Sequence, residues 1–400
     1  MKVLSIIIAV LLMCGCTSNG IDKSGDSKAD FINSGEVKEL EPTESAEEEK
    51  EEVMSKPKEL FEDYYEEADT ILEDLTLEEK IAQMFLVIYP GREAAIKEIK
   101  KYSPGGYILF AKDFKEETKD SIISLIDGMQ DKAKTSMLIA VDEEGGPVVR
   151  VSAFKQFRTT PFESMRKIYA SGGMNAIIED AKEKSELLKS LGINMNLTPV
   201  VDIPTNDKSY MYSRAVSLDS DVVSEFAGKI IDRMNEDKVV ASMKHFPGYG
   251  DNVDTHTGIA IDERTLEDFM RKDFKPFIAG IEQGVPTIMV NHNVIKNIDE
   301  NYPASISKKV HDTLRNDLGF SGLIVTDSLA MDALKEYVTN GEAGAQAVIA
   351  GNDMIISHKL EAHVNEIMKA VEDGRVTEEE INTAVRRVLA CKLCYGIIQK

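Results

Sequence analysis

Between Lys244 and His256 the chain reads KHFPGYGDNVDTH, leaving an apolar run for a polar, glycine-rich stretch. Lys244 and His245 come first, a cation beside an imidazole. Asp254 and His256 follow, two residues apart. At that spacing a carboxylate reaches an imidazole, fixes its tautomer and supports its charged form. An imidazole titrating near about 6.5 is suited to proton transfer at neutral pH. Pro247, Gly248 and Gly250 force a sharp exit from the apolar run. Three other apolar runs end in acids. One is followed by Asp142-Glu143-Glu144-Gly145-Gly146 and then Arg150, one runs into Val200-Val201-Asp202, and one ends in Thr326-Asp327-Ser328. An ionisable residue closing a buried run must emerge at a mouth or be buried at high cost.

The elements that must position these residues alternate regularly from about Leu75. Short apolar runs predict strands at Ala82–Ile88, Gly106–Phe110, Met137–Val141, Ile193–Pro199, Val239–Met243, Pro286–Val290, Leu323–Thr326 and Asp353–Ile356. Amphipathic stretches between them predict helices, among them Glu117–Lys134, Asn175–Ser190, Val222–Asn235, Leu266–Ile281 and Ser307–Asp317. Two more helices, Ala362–Val371 and Glu378–Cys394, close the chain. Eight strand–helix units imply a parallel sheet and an α/β fold, the (β/α)8 TIM-type barrel. An open doubly wound sheet is the runner-up, but its glycine-rich phosphate turn is missing after the first strand, at Ile88-Tyr89-Pro90-Gly91-Arg92. In a barrel, catalytic groups stand at the C-terminal strand ends. Asp142, Lys244, His245, His292 and Asp327 all fall at such ends.

Taken together, the Lys244–His256 segment, Asp142–Gly146 and Val325-Thr326-Asp327-Ser328-Leu329-Ala330-Met331 resemble glycoside hydrolase family 3, in its β-N-acetylglucosaminidase branch. The likeness runs from Leu75-Thr76-Leu77-Glu78-Glu79-Lys80-Ile81 through Pro104–Phe110 to the last helix. The resemblance implies a retaining double displacement with Asp327 as nucleophile, His256 as acid/base and Asp254 as its partner. It also implies sugar-holding roles for Asp142, Arg150, Arg214, Lys244 and His245, to which the strand-end position adds His292. The substrate implied is a terminal β-linked N-acetylhexosamine on cell-wall fragments, with no cofactor and no metal. Two departures stand out. Three residues separate Gly250 from Asp254, where the family pattern has four. Pro147 follows the Gly-Gly pair, where Arg is usual.

The chain has 400 residues and a net charge of −23. That balance argues against nucleic acid as a partner. Met1–Lys2 and the apolar run Val3–Leu12 read as a signal segment, too short for a membrane span. Its end, Met13-Cys14-Gly15-Cys16, resembles a bacterial lipoprotein signal: residues 1–15 would be removed and Cys16 acylated. Residues 16–66 are polar and acidic. From 22 to 70 there are 18 acids against 6 lysines, which favours a disordered tether. Residues 67–400 would form the catalytic domain, held outside the cytoplasmic membrane by the lipid alone. Cys391 and Cys394, three residues apart on one face of a helix, read as core thiols rather than a redox pair. The alternative functions are a sugar-binding lipoprotein without turnover on the same barrel, and a family 3 β-glucosidase.

Overall fold

The computed structural model describes residues 59–255, 258–331, 334, 336–338 and 342–399, all within the compact unit Pro57–Lys400. The signal segment 1–15, Cys16, most of the linker and His256 lie outside the described residues.

Eight parallel strands form the core: β1 (Phe85–Ile88), β2 (Gly106–Ile108), β3 (Leu138–Val141), β4 (Met195–Asn196), β5 (Val240–Phe246), β6 (Thr287–Val290), β7 (Leu323–Thr326) and β8 (Ile355–Ser357). Each pairs with its neighbours in chain order, and β8 returns to pair with β1. A parallel bridge between Val325 and Met354 brings β7 back to the entry of β8, so the barrel is nearly closed. Except for Ile88, which is half-buried, every strand residue is buried. Strands covered on both faces need continuous apolar runs rather than alternation, which is why all eight expected runs became strands.

Boundaries moved where local capping or long-range contacts prevailed. Ala82 and Gln83 belong to the helix Leu77–Gln83, which opens on a capping box between Thr76 and Glu79. The single helix expected over Leu266–Ile281 is two, Leu266–Arg271 and Phe274–Glu282. Asp273 lies buried at the break, paired with Arg264. The helix expected over Asn175–Ser190 begins at Met165 and kinks at Gly172–Gly173. Arg92–Tyr102 and Ala343–Ala350 are additional helices. The latter, AGAQAVIA, has no polar face and so no periodic signal.

The packed chain also begins earlier than residue 67. Phe61 is buried, and Leu60 donates its N–H to Ser321 Oγ at 3.0 Å. The helix Tyr65–Glu73 packs on Glu378–Cys394, with Arg386 2.5 Å from Asp69. Composition averaged over the acidic stretch hides the apolar group Leu60, Phe61, Tyr64 and Tyr65.

Candidate active site

The C-terminal strand ends surround a cavity of about 330 Å³, the small end of the size range of small-molecule sites. Asp142, Glu144 and Arg150 reach it from the turn after β3, Tyr210 and Arg214 from the segment after β4, and Asp327 from the end of β7. Lys244 and His245, both on β5, also line it. Adjacent strand residues ordinarily face opposite ways. Here the pairing of β5 with β6 shifts register between Lys244 and Phe246, and such a bulge re-aims a side chain.

The turn after β3 is built around Gly145. Its φ is 100°, and a Cβ there would stand 2.3 Å from the Glu163 carbonyl oxygen. Only glycine fits. Of the two acids before it, Glu143 is fully buried and folds back into its own loop. Its carboxylate accepts the N–H groups of Arg150 at 2.8 Å and Val151 at 2.7 Å, and the Ser152 hydroxyl. This holds the backbone of Arg150 in place. The Asn196 carboxamide on β4 accepts the Glu143 N–H at 2.9 Å and donates to the Glu143 carbonyl at 3.2 Å.

Glu144 faces the cavity instead. Arg214 grips it with two bonds, Nε to Oε2 at 2.9 Å and Nη2 to Oε1 at 2.7 Å. Lys244 Nζ lies 2.8 Å from Oε1 and 2.6 Å from Asp142 Oδ1. Arg150 approaches Asp142 Oδ2 at 3.7 Å. Burial alone would raise the Glu144 pKa, but the Arg214 and Lys244 charges outweigh it and hold the carboxyl well below its ordinary range. The wall is therefore a fixed alternation of donors and acceptors, suited to a polyhydroxylated ligand.

His245 is locked between charges. Its Nδ1 lies 2.7 Å from Asp202 Oδ2, and its Nε2 lies 3.3 Å from Arg214 Nη2. Since the guanidinium can only donate, Nε2 accepts and Nδ1 carries the proton. The other Asp202 oxygen accepts the Tyr249 N–H at 2.7 Å, so this one buried acid anchors both β5 and the loop that leaves it. On that loop, Asp254 accepts a hydrogen bond from Tyr210. Burial pushes the Tyr210 hydroxyl up to about 12, and the charges of Asp254 and Asp327 add to that. Asp251 and Asn252 turn elsewhere, to Thr205 and Ser209 and to Asp262.

Asp327 donates its N–H to the Val290 carbonyl at 2.9 Å, and its Oδ1 accepts the Ser328 N–H at 2.7 Å. His292 does not line the cavity. It is fully buried. Its Nε2 donates to the Ser328 carbonyl at 2.9 Å and its Nδ1 lies 2.6 Å from Ser305 Oγ, so it supports the turn that presents Asp327. The structure thus brings together Asp142, Arg150, Arg214, Lys244, His245 and Asp327, with Asp254 beside Tyr210. From sequence, Glu144 and Asp202 stood out only as acids at strand ends, without a role, and Tyr210 and Tyr249 were not singled out. Nothing in the pattern marked the two tyrosines.

Residues 76–391 match the family described as the glycosyl hydrolase family 3 N terminal domain. The chain belongs to glycoside hydrolase family 3. As a family 3 enzyme it is a glycosidase. It is 33% identical over 258 residues to a beta-hexosaminidase of Nitrosomonas eutropha, an alignment covering 63% of this chain and 73% of the relative. It is 30% identical over 332 residues to an uncharacterized secreted glycosyl hydrolase of Arthroderma benhamiae, covering 77% and 91% of the two chains. Among solved structures it resembles a glycoside hydrolase family 3 beta-N-acetylglucosaminidase from Paenibacillus sp. str. FPU-7. The TM-score is 0.76 at 31% identity, over 81% of this family 3 chain and 63% of that one.

Proposed function

We propose that this family 3 glycosidase is an exo-acting, retaining β-N-acetylhexosaminidase. One observation carries the reading: Asp327, at the end of β7, shares a small cavity with the cluster Asp142–Lys244–Glu144–Arg214. In this reading the Asp327 carboxylate attacks the anomeric carbon of a terminal sugar. The bond from that carbon to the leaving oxygen breaks as His256, paired with Asp254, gives that oxygen a proton. Water then attacks the same carbon, His256 takes its proton, and Asp327 is released. Lys244, Arg150 and Arg214 donate to the sugar, Asp142 and Glu144 accept from it, and His245 holds Arg214 in place. The names of the relatives support an N-acetylhexosamine in the cavity, and we propose cell-wall-derived fragments as its source.

The test is release of p-nitrophenol from p-nitrophenyl β-N-acetylglucosaminide, with the anomer of the first-formed sugar followed by NMR. The expected product is the β-anomer. No release above a protein-free blank between about pH 5 and 8 would overturn the reading. Binding of the glycoside without turnover would instead mark a sugar-binding protein, and preference for the β-glucoside a β-glucosidase.

We propose further that Cys16 is acylated and that the enzyme acts outside the cytoplasmic membrane. The order of charge, apolar run and small residue before Cys16 supports this. Mass spectrometry of the N-terminal fragment should show a lipid that Cys16→Ala abolishes.

A further inference from the structure

Behind the loop that follows β5 lies a cluster of charges that takes no part in lining the cavity. Asp262 and Asp273 are both buried, and Arg264 lies between them. The Arg264 Nε is 3.0 Å from each Asp262 oxygen, Nη2 is 2.6 Å from Asp262 Oδ2, and Nη1 is 2.8 Å from Asp273 Oδ2. The guanidinium stacks 4.3 Å over Phe269. Asp262 is itself fixed by a short parallel strand pair, Ile261–Asp262 with Val294–Ile295, outside the barrel.

The cluster grips the loop at successive points. Arg264 Nη2 donates to the Gly248 carbonyl at 2.9 Å, and Asn252 Nδ2 donates to Asp262 Oδ2 at 2.7 Å. Gly250, at φ 55°, lies so close that a Cβ would stand 2.9 Å from the Arg264 Cζ. On the other edge, Asp251 accepts the Thr205 N–H at 2.9 Å and the hydroxyls of Thr205 and Ser209. Beyond these grips comes Val253, 60% exposed, and then Asp254.

We propose that Arg264 is a positioning residue: with Asp262 it clamps residues 248–252 and thereby sets the position of Asp254, the proposed partner of the acid/base. This rests on the proposed acid/base role of His256. Buried ion pairs are costly to assemble and are weak evidence of net stabilisation. This one joins the outer strand pair to the loop leaving β5, and its grip ends two residues short of the proposed proton donor's partner. A misplacement of about 1 Å can cost roughly 100-fold in rate.

The test compares the full chain with Arg264→Lys and Asn252→Ala on two substrates. The first is 2,4-dinitrophenyl β-N-acetylglucosaminide, whose phenolate leaves without a proton. The second is the phenyl glycoside, which needs one. In both variants kcat/KM for the phenyl glycoside should fall by about 30-fold or more, while that for the dinitrophenyl glycoside stays within about threefold. Azide should raise turnover of the dinitrophenyl substrate and yield the β-glycosyl azide. Equal losses on both substrates, or no loss in either variant, overturn the proposal. Asn252→Ala removes no buried charge, so it reads the clamp even if Arg264→Lys fails to fold. A wild-type chain that hydrolyses neither substrate fails the proposed β-N-acetylhexosaminidase reading itself, and the clamp proposal falls with it.

Discussion

The ammonium of Lys244 stands 2.6 Å from Oδ1 of Asp142, joining β5 to the end of β3 across the barrel mouth. Lys244 is almost wholly buried and holds Glu144 as well. Removing it leaves two carboxylates without that cation in a site shielded from water. Lys244→Met is expected to lower stability by about 3–5 kcal/mol, read by thermal unfolding. It should lower kcat/KM on the p-nitrophenyl substrate by roughly 100-fold or more.

Asp327→Ala removes the proposed nucleophile while leaving the donor and acceptor wall intact. Turnover should fall on the order of 10⁴-fold, with the unfolding midpoint close to that of the parent. The mutant should still bind N-acetylglucosamine glycosides, measured by calorimetry. Retention of a tenth of the parent's kcat would remove Asp327 from the reaction.

His292 acts on the site through Ser328. His292→Phe leaves the Ser328 carbonyl and the Ser305 hydroxyl without their imidazole bonds, a change of about 2 kcal/mol. The expected signature is a fall in kcat larger than any rise in KM. A residue that held the sugar directly would raise KM instead.

Lys392 carries a pH dependence remote from the cavity. It is fully buried on the last helix, hydrogen-bonded to Gln83 Oε1 at 2.8 Å. Burial lowers its pKa from the ordinary 10.5 to about 7. Between those values the unfolded chain binds a proton that the folded chain has released, so this group makes stability rise with pH from about 7 towards 10.5. Below about pH 7 the folded state carries the full cost of the buried charge. Lys392→Met should raise the unfolding midpoint at pH 7 and flatten its rise towards pH 9.5. A parallel shift at both pH values would show that the lysine does not titrate in this window.

The barrel and its mouth were legible in the residues themselves. Strands covered on both faces are apolar over most of their length, so their runs stand out, and the polar residues towards their C-terminal ends mark the mouth. Asp142, Lys244, His245 and Asp327 could be found that way because their signal is local. Glu143 and Glu144 show where local reading stops. They are adjacent and alike in type, yet one folds back to accept N–H groups of its own loop and the other meets Arg214, 70 residues away. The same holds for Asp202 with His245 and for Arg264 with Gly248. Apolar periodicity carries no information about which strand ends come within hydrogen-bonding distance. Closure of the sheet and the register shift on β5 set those distances. The sequence therefore determined the fold and the chemical types at the mouth, while the tertiary structure decided which charge meets which, because an ion pair forms only between groups that the backbone has already brought together.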